Sequence, residues 1–242
     1  MQNRQKLLSL AEKYGGKCKI TLIDMQNSWE NAYSDKRITT PSYYRLSLSE
    51  LPELKNLNKI IWLDGDTLIF DDLTEMLNID MSNLYYRGFL DYNINDFKRF
   101  NIKDSEIHIC VGVMLVNLEK LRKDNMISTF EKTVKENNEK LRQHDQTLIN
   151  VTCYKNIASL PPEYGTFDFL NEKGAQKFAN IITSKKRYTT DNLIQAFKQP
   201  KILHFVNEKP WRRKGARNQD LWLEYAAKTD YFDDIKAYYG VA

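Results

Sequence analysis

The chain has 242 residues, of which 42% are hydrophobic and 28% are charged, and its formal net charge is +4. This composition is ordinary for a globular protein and is enough for one large domain or two small ones. No apolar segment approaches the length of a transmembrane helix, so we expect no membrane span. A basic groove with interleaved aromatic residues is not evident either, and we expect no nucleic-acid partner.

The cysteines and the N-terminus indicate the cellular compartment. Cys18, Cys110 and Cys153 are an odd number of widely spaced thiols without a Cys-x-x-Cys pair, which suits a reducing cytoplasm and argues against structural zinc. The first residues, Met1–Lys6, lead into a polar helical pattern and not into a signal peptide. We predict a cytoplasmic protein, and the basic stretch Lys209–Arg217 leaves open a peripheral contact with the inner membrane face.

Helical and extended patterns alternate along the chain. In order, we predict a helix ending at Gly15-Gly16, a strand at Lys17–Asp24, a helix from the cap Thr40 through Pro41 to about Leu54, a strand at Lys59–Leu63, a short helix at Asp72–Leu77, strands at Leu84–Leu90 and Ile107–Val116, a helix around Ile127–Val134, a helix at Gln146–Tyr154, strands at Asn156–Leu160 and Lys201–Val206, and two helices within residues 218–239. Residues 165–187 lack clear periodicity and are predicted as a loop or small insertion. The alternation predicts an α/β fold with a mostly parallel central sheet flanked by helices.

Asp64-Gly65-Asp66 directly follows the apolar strand that ends at Leu63. Side chains alternate along an extended backbone, so both carboxylates can point to one place, and Gly65 leaves room for close approach. At about 5 Å and an effective dielectric of about 20, the two charges repel by roughly 3 kcal/mol, which a divalent cation would reverse. Oxygen ligands of this kind suit Mg²⁺ or Mn²⁺. The alternative is a plain Asp-Gly hairpin turn.

Three further stretches carry groups with possible chemistry. His144-Asp145-Gln146 opens a helix, where Asp145 is either an N-cap or part of a ligand site at the sheet edge. His204 ends an apolar strand and is either a core histidine or a metal ligand, and Lys209 follows five positions later. The third stretch is the apolar run that starts at Gly112, which we interpret mainly as core packing.

Four motifs in this order resemble glycosyltransferase family eight, which includes bacterial lipopolysaccharide galactosyl- and glucosyltransferases and glycogenin. They are Ile-Trp-Leu-Asp-Gly-Asp-Thr at 61–67, Gly-Val-Met-Leu-Val-Asn-Leu at 112–118, Asp-Gln-x-x-Ile-Asn at 145–150 and His-x4-Lys-Pro-Trp at 204–211. The resemblance extends from about residue 17 to about residue 211. Each motif is weak alone, whereas four in the right order are specific.

The resemblance implies a GT-A fold, a UDP-sugar donor, Mn²⁺ (or Mg²⁺) and retention of the anomeric configuration. It implies that Asp64, Asp66 and His204 bind the metal and that Arg45, Gly65 and Lys209 contribute to donor binding. It also implies that Asp91 lies near the donor sugar, and that Asp145 and Gln146 line the reacting face of the anomeric carbon. Since Gln146 is a poor nucleophile, we favour attack of the acceptor from the face that the diphosphate leaves.

The family normally begins with a strand and loop that bind the nucleotide, and this sequence begins after them. We therefore expect an N-terminally truncated GT-A domain over residues 1–211, a C-terminal helical extension over residues 212–242, and self-association through the open sheet edge. Cys110 stands where the family generally has an Asn, which removes one expected contact with the donor sugar. We expect the carbohydrate or lipid-linked saccharide acceptor to bind at variable segments, here Asn93–Glu106 and Gly165–Tyr188.

Three functions follow in order of preference. The first is a hexosyltransferase that uses UDP-glucose or UDP-galactose in assembly of cell-surface carbohydrate, such as lipopolysaccharide. The second is a truncated, non-catalytic relative that binds nucleotide sugar weakly or not at all. The third is a metal-dependent nucleotidyltransferase, which would also use paired carboxylates but would need a basic groove or a glycine-rich phosphate loop.

Overall fold

The computed structural model describes residues 2–15, 17–25, 29–35, 39–91, 95–103, 107–168, 172–182 and 188–240. The α-helices are α1 (Gln2–Lys13), α2 (Thr74–Leu77), α3 (Asn95–Arg99), α4 (Leu118–Lys123), α5 (Met126–Asn137), α6 (His144–Cys153), α7 (Glu172–Ile182), α8 (Thr190–Lys198), α9 (Gln219–Ala226) and α10 (Phe232–Tyr239). The strands are β1 (Lys59–Leu63), β2 (Thr67–Ile69), β3 (Tyr86–Leu90), β4 (Ile109–Asn117), β5 (Ile157–Ser159), β6 (Thr166–Phe167) and β7 (Ile202–His204). Short 3₁₀ helices span Thr40–Glu50, Pro52–Leu54, Asn138–Lys140 and Pro162–Tyr164.

The described strands form two sheets. The larger has the order β1-β4-β3-β5, and the smaller has the order β2-β7-β6. Leu63 of β1 lies opposite Val113 of β4, and Thr67 of β2 lies opposite His204 of β7. The chain therefore leaves one sheet after Leu63 and enters the other at Thr67, and the Asp-Gly-Asp segment joins the two.

The α/β class is confirmed, but the prediction of a mostly parallel sheet is wrong for the described strands. β4 pairs antiparallel with both β1 and β3, and β2 pairs antiparallel with β7. Parallel pairing is confined to β3 with β5 and β6 with β7. Alternating helices and strands predict parallel pairing only where each helix crosses over the sheet. The helix between β3 and β4 has only five residues, which is too short for such a crossover.

β4 is the centre of the fold because it is buried on both faces. Met114 and Val116 pack into the core formed with α5 and α6, whereas Val113 and Leu115 pack on the opposite side with Met76 of α2. A strand that is covered on both faces has a continuous apolar sequence, and residues 109–116 have such a sequence. The interpretation of Val113 and Leu115 as core residues is confirmed.

Two predicted elements differ in the structure. Residues 17–24 are not a strand and pair with none of the described strands. Residues 172–182, predicted as a loop, form α7, which buries Ala175, Phe178 and Ala179. The helix predicted to start after a Thr40 cap is a 3₁₀ helix that begins at Thr40 itself.

Parts of the predicted acceptor segments lie outside the described residues, namely 93–94, 104–106, 169–171 and 183–187. The C-terminal helices α9 and α10 contact the rest of the described chain. On α9, Trp222 lies 5.7 Å from Trp211 and Tyr225 packs edge-on against Phe70 at 5.4 Å, both between ring centroids. On α10, Asp234 pairs with Lys6 (2.5 Å). The division at residue 211 stays a prediction.

Within the described residues, none of the helices has the length and apolar character that crossing a lipid bilayer would require.

We expect Leu115→Ala to lower the free energy of unfolding by about 2–5 kcal/mol, because it leaves a cavity beside a fully buried side chain. The matched control is Leu57→Ala, which removes the same atoms from a side chain that is 44% exposed and should cost less than about 0.5 kcal/mol. Urea unfolding followed by circular dichroism measures both. Equal losses in the two variants would contradict the central position of β4.

Candidate functional site

Asp64 and Asp66 lie at the junction between the two sheets. β1 pairs with β4 and β2 pairs with β7, so the two strands that flank Gly65 do not pair with each other. The alternative of a simple Asp-Gly hairpin is therefore wrong. An added Cβ on Gly65 would meet no atom within 4 Å, so the space in front of this residue is open.

The structure brings the three predicted metal ligands together. Asp64, Asp66 and His204 each offer a ligand atom, and these atoms all lie within 4.8 Å of one another. His204 reaches the site from β7, where it pairs with Thr67, and the backbone N–H of Phe205 donates to the carbonyl of Asp66 (3.0 Å). Pairing of the second sheet thus fixes the distance between the imidazole and the carboxylates.

Gly112 makes room for the imidazole. A Cβ at this position would lie 2.1 Å from His204 Cε1 and 2.7 Å from His204 Nε2, so any side chain there would displace the ring. The carbonyl of Gly112 also accepts a hydrogen bond from the backbone N–H of Asp64 (2.7 Å). The central strand therefore positions one ligand directly and leaves space for another.

The charges around Asp66 balance one another. His204 Nε2 lies 3.2 Å from Asp66 Oδ1, and Lys209 Nζ lies 2.5 Å from Asp66 Oδ2. Burial alone would raise the pKa of Asp66, but these two cationic partners hold it well below its usual range. Burial lowers the pKa of His204, whereas its contacts with Asp66 and Cys110 outweigh burial and raise it to about 10.

The donor set fits a divalent cation. Asp66 Oδ1 is buried and has no hydrogen-bond partner of acceptable geometry, although His204 Nε2 lies nearby. Two carboxylates and one imidazole, which would release its proton on metal binding, match the ligand preference of Mn²⁺ and, less closely, of Mg²⁺.

Arg45 is the third positive group at the junction and is itself buried. It lies 3.0 Å from Asp64 Oδ1 and 2.9 Å from Asp145 Oδ2, and its NH1 group donates to the carbonyl of Val111 (2.5 Å). Trp62 stacks on the guanidinium at 4.9 Å and donates its Nε1–H to Asp64 Oδ1 (2.8 Å). Trp62 was not among the predicted site residues, although its place two residues before Asp64 puts both side chains on one side of the strand.

Asp145 lies beneath Arg45, away from open space. Its side chain is only 5% exposed, and burial raises the pKa of its carboxyl although the charge of Arg45 opposes the rise. We expected Asp145 on the reacting face, but the structure places it where it holds a guanidinium. Gln146, the next residue, is turned toward another carboxylate: its Nε2 donates to Asp91 Oδ2 (2.8 Å).

Cys110 lies against the imidazole. Its Sγ is 3.9 Å from His204 Nδ1, on the side of the ring away from Asp66. A weak hydrogen bond at Nδ1 helps to fix the ring orientation and leaves Nε2 facing the carboxylates.

We expect Gly112→Ala to weaken Mn²⁺ binding by about 10- to 100-fold, because the added methyl group displaces the imidazole of His204. Electron paramagnetic resonance of free Mn²⁺ measures the affinity without substrate. Gly165→Ala is the matched control, since its Cβ would meet Phe89 Cβ at 2.8 Å in the core and strain the fold elsewhere. Unchanged affinity in Gly112→Ala would contradict the proposed metal site.

We expect Arg45→Met to lower the free energy of unfolding by about 3–5 kcal/mol, because it leaves Asp145 buried without a countercharge. Adding Asp145→Asn should recover much of the lost free energy of unfolding, because it removes the unpaired charge. Lys13→Met, which breaks an ion pair between exposed side chains, should change stability little. If the double variant is less stable than Arg45→Met alone, the two residues do not interact as described.

Sequence comparison with known proteins finds relatives over most of the chain. The model of the family described as glycosyl transferase family 8 matches residues 1–215. General stress protein A of Bacillus subtilis (strain 168) is 24% identical over 234 residues, which is 95% of this chain and 79% of that protein. Glycosyltransferase GlyE of Streptococcus pneumoniae serotype 4 is 22% identical over 212 residues, which is 86% of this chain but only 46% of that protein.

Solved structures show the same fold. The galactosyltransferase LgtC, in complex with donor and acceptor sugar analogs, has a TM-score of 0.69 at 19% identity, over 97% of this chain and 80% of that one. The apo form of GlyE has a TM-score of 0.62 at 18% identity, over 98% of this chain and 53% of that one. The GT-A fold is thereby confirmed. With the family match over residues 1–215, the chain belongs to glycosyl transferase family 8, a family of glycosyltransferases.

Proposed function

We propose that this chain transfers glucose or galactose from a UDP-sugar to a cell-surface carbohydrate, with Mn²⁺ (or Mg²⁺) and with retention of the anomeric configuration. The observation that carries the proposal is the convergence of Asp64, Asp66 and His204 within 4.8 Å of one another. Lys209, beside Asp66, and Arg45, beside Asp64, add positive charge at the same junction. Such a site suits a ligand that carries a diphosphate.

Lys209 would hold the leaving diphosphate. Its ammonium group lies 2.5 Å from Asp66 Oδ2, and it also donates to the backbone carbonyl of Phe205. A bound cation would supply Lewis-acid stabilisation of the same leaving group. Asp64, Asp66 and His204 would hold that cation, so Lys209 would be free to turn from Asp66 toward phosphate oxygen.

Arg45 would serve the donor while Asp145 keeps it in place. The guanidinium bridges Asp64 and the buried Asp145, whereas Lys209 pairs with Asp66. A planar guanidinium held by a buried carboxylate keeps its orientation better than a free side chain would. We therefore assign Asp145 a positioning role, in place of the direct catalytic role first expected.

Gln146 and Asp91 would face the donor sugar. The amide of Gln146 cannot readily form a covalent sugar intermediate, which favours attack of the acceptor from the side that the diphosphate leaves. In that step the bond between the anomeric carbon and the phosphate oxygen breaks while the acceptor oxygen bonds to the carbon. The proton of the acceptor hydroxyl passes to the leaving phosphate oxygen. Asp91 would hold the amide in place through its 2.8 Å hydrogen bond.

The remaining parts of the proposal concern the setting of the reaction. We propose a cytoplasmic location at the inner membrane face, where the basic stretch Lys209–Arg217 would meet anionic lipid. We also propose that the edge strand β1, which has a sheet partner on one side only among the described strands, supports self-association.

We expect UDP to bind more tightly with Mn²⁺ than without it. Asp66→Asn should weaken this Mn²⁺-dependent binding by more than about 100-fold, because the variant loses one charged ligand. Isothermal titration calorimetry measures the binding, and release of UDP from UDP-glucose or UDP-galactose measures turnover. Asp230→Asn is the control, since it changes an exposed carboxylate that pairs with Lys13.

The outcomes separate the competing functions. Intact Mn²⁺-dependent binding in Asp66→Asn would rule out the assigned metal ligands. Metal-dependent binding of UDP without release from either sugar nucleotide, even with acceptor saccharides present, would favour a non-catalytic relative. Incorporation of nucleotides from triphosphates would instead indicate a nucleotidyltransferase.

A further inference from the structure

A second group of buried polar side chains extends from Gln146 into the interior, away from the metal ligands. Gln146 donates to Asp91 Oδ2, and His108 lies behind that carboxylate, with its Nδ1 3.7 Å from the same oxygen. The other ring nitrogen, Nε2, lies 3.1 Å from Asp96 Oδ2. The side chains of His108 and Asp96 have no exposed surface, so these groups form a connected path from the protein interior to the site.

Asp96 holds the imidazole from behind. It is paired with Arg99, the residue one turn later on α3, and Arg99 is anchored by donating to the carbonyl of Lys140 (3.2 Å). Phe97 packs edge-on against the ring of His108 at 5.5 Å between centroids. The imidazole is therefore restrained on two sides and faces Asp91 on the third.

Backbone contacts place Asp91 next to this ring. The N–H of Asp91 donates to the carbonyl of His108 (2.8 Å), just beyond the pairing of Leu90 with Ile109. The register of β3 and β4 is irregular between Gly88 and Leu90, which changes the direction of the chain before Asp91. The same two strands thus position both members of the pair.

His108 Nδ1 is a buried polar atom without a hydrogen-bond partner in the described part of the chain. It faces Asp91 Oδ2 from just beyond hydrogen-bond range, so a shift of a few tenths of an ångström would bring the two into contact. Catalytic hydrogen bonds are often long before substrate binds and shorten in the reacting complex. A buried carboxylate and imidazole are costly compared with apolar side chains of the same size, which favours a role in the site.

We propose that His108, held by Asp96, positions Asp91 and through it the amide of Gln146 for sugar transfer. The inference rests on the proposed function, because it assigns Asp91 and Gln146 to the donor sugar. His108 is a positioning residue, since Asp91 lies between it and the site.

Two conservative variants distinguish positioning from packing. His108→Gln keeps a polar group near Nε2 and loses the group that faces Asp91, whereas His108→Asn keeps a group near Nδ1. We expect kcat to fall about 10- to 100-fold in His108→Gln, with UDP affinity in Mn²⁺ unchanged, and to recover substantially in His108→Asn. Val134→Ala, a core change on α5, controls for lost stability.

A double-mutant cycle tests the path through Asp91. The effect of Asp91→Asn on kcat should shrink in the His108→Gln background, because the carboxylate is already misplaced there. It should stay undiminished in the Lys209→Met background, because Lys209 contacts Asp66 and not Asp91. Additive losses for His108→Gln and Asp91→Asn would overturn the proposal, as would a loss of kcat in His108→Gln no larger than in Val134→Ala.

The side-chain amide signal of Gln146, observed by nuclear magnetic resonance and assigned with Gln146→Glu, reports positioning without any substrate. We expect the chemical shift of this amide to move toward that of a free amide in His108→Gln and to stay near its original value in His108→Asn. If the native chain proves inactive but the signal responds in this way, the proposed function fails and the positioning holds. If the chain is active and the signal does not respond, the positioning fails alone.

Discussion

The site depends on the balance of charge at the junction between the two sheets. Asp64 and Asp66 carry their carboxylates to one partly buried place, where they would repel by several kcal/mol at about 4–5 Å without countercharge. Arg45 neutralises the first, and Lys209 together with His204 neutralises the second. His204 and Lys209 are far from Asp66 in sequence, so this neutralisation is complete only in the folded chain.

β4 supplies the framework on which this balance is built. Its apolar side chains fill the cores on both faces of the larger sheet, while its backbone at Gly112 accepts from Asp64 and passes beside His204. At Val111 the carbonyl accepts from Arg45. One strand therefore carries out structural and functional tasks at adjacent residues, and changes that loosen its packing will also alter the site.

Local patterns in the sequence predicted much of the fold and the place where Asp64 and Asp66 lie. The extended run before Asp64 and the alternation of side chains predicted that Asp64 and Asp66 converge. The motif order added His204 and Lys209 through resemblance. Strand orientation was wrong because it depends on how short connections turn, which periodicity does not record. The helix α7 was missed because Gly174, a poor helix former, lies in its first turn, although Ala175, Phe178 and Ala179 recur at helical spacing.

Other features have no local signature in the sequence. The burial of Asp145 under Arg45 joins residues 100 positions apart, and a sequence pattern does not reveal that pairing. His108 lies directly before the apolar strand β4 and has no neighbour in sequence that suggests Asp96 as its partner. In the same way, residues 17–24 have strand-like composition, but a strand requires a neighbour that only the tertiary structure can supply.

Asp64 and Asp66 follow the end of one sheet, whereas His204 belongs to the other. An ion bound to all three would link the two sheets, so metal binding and folding would be coupled equilibria. At a free metal concentration 100 times the dissociation constant, such linkage adds about 2.7 kcal/mol to the folded state. Availability of the ion would then govern how long the protein persists as well as how fast it works.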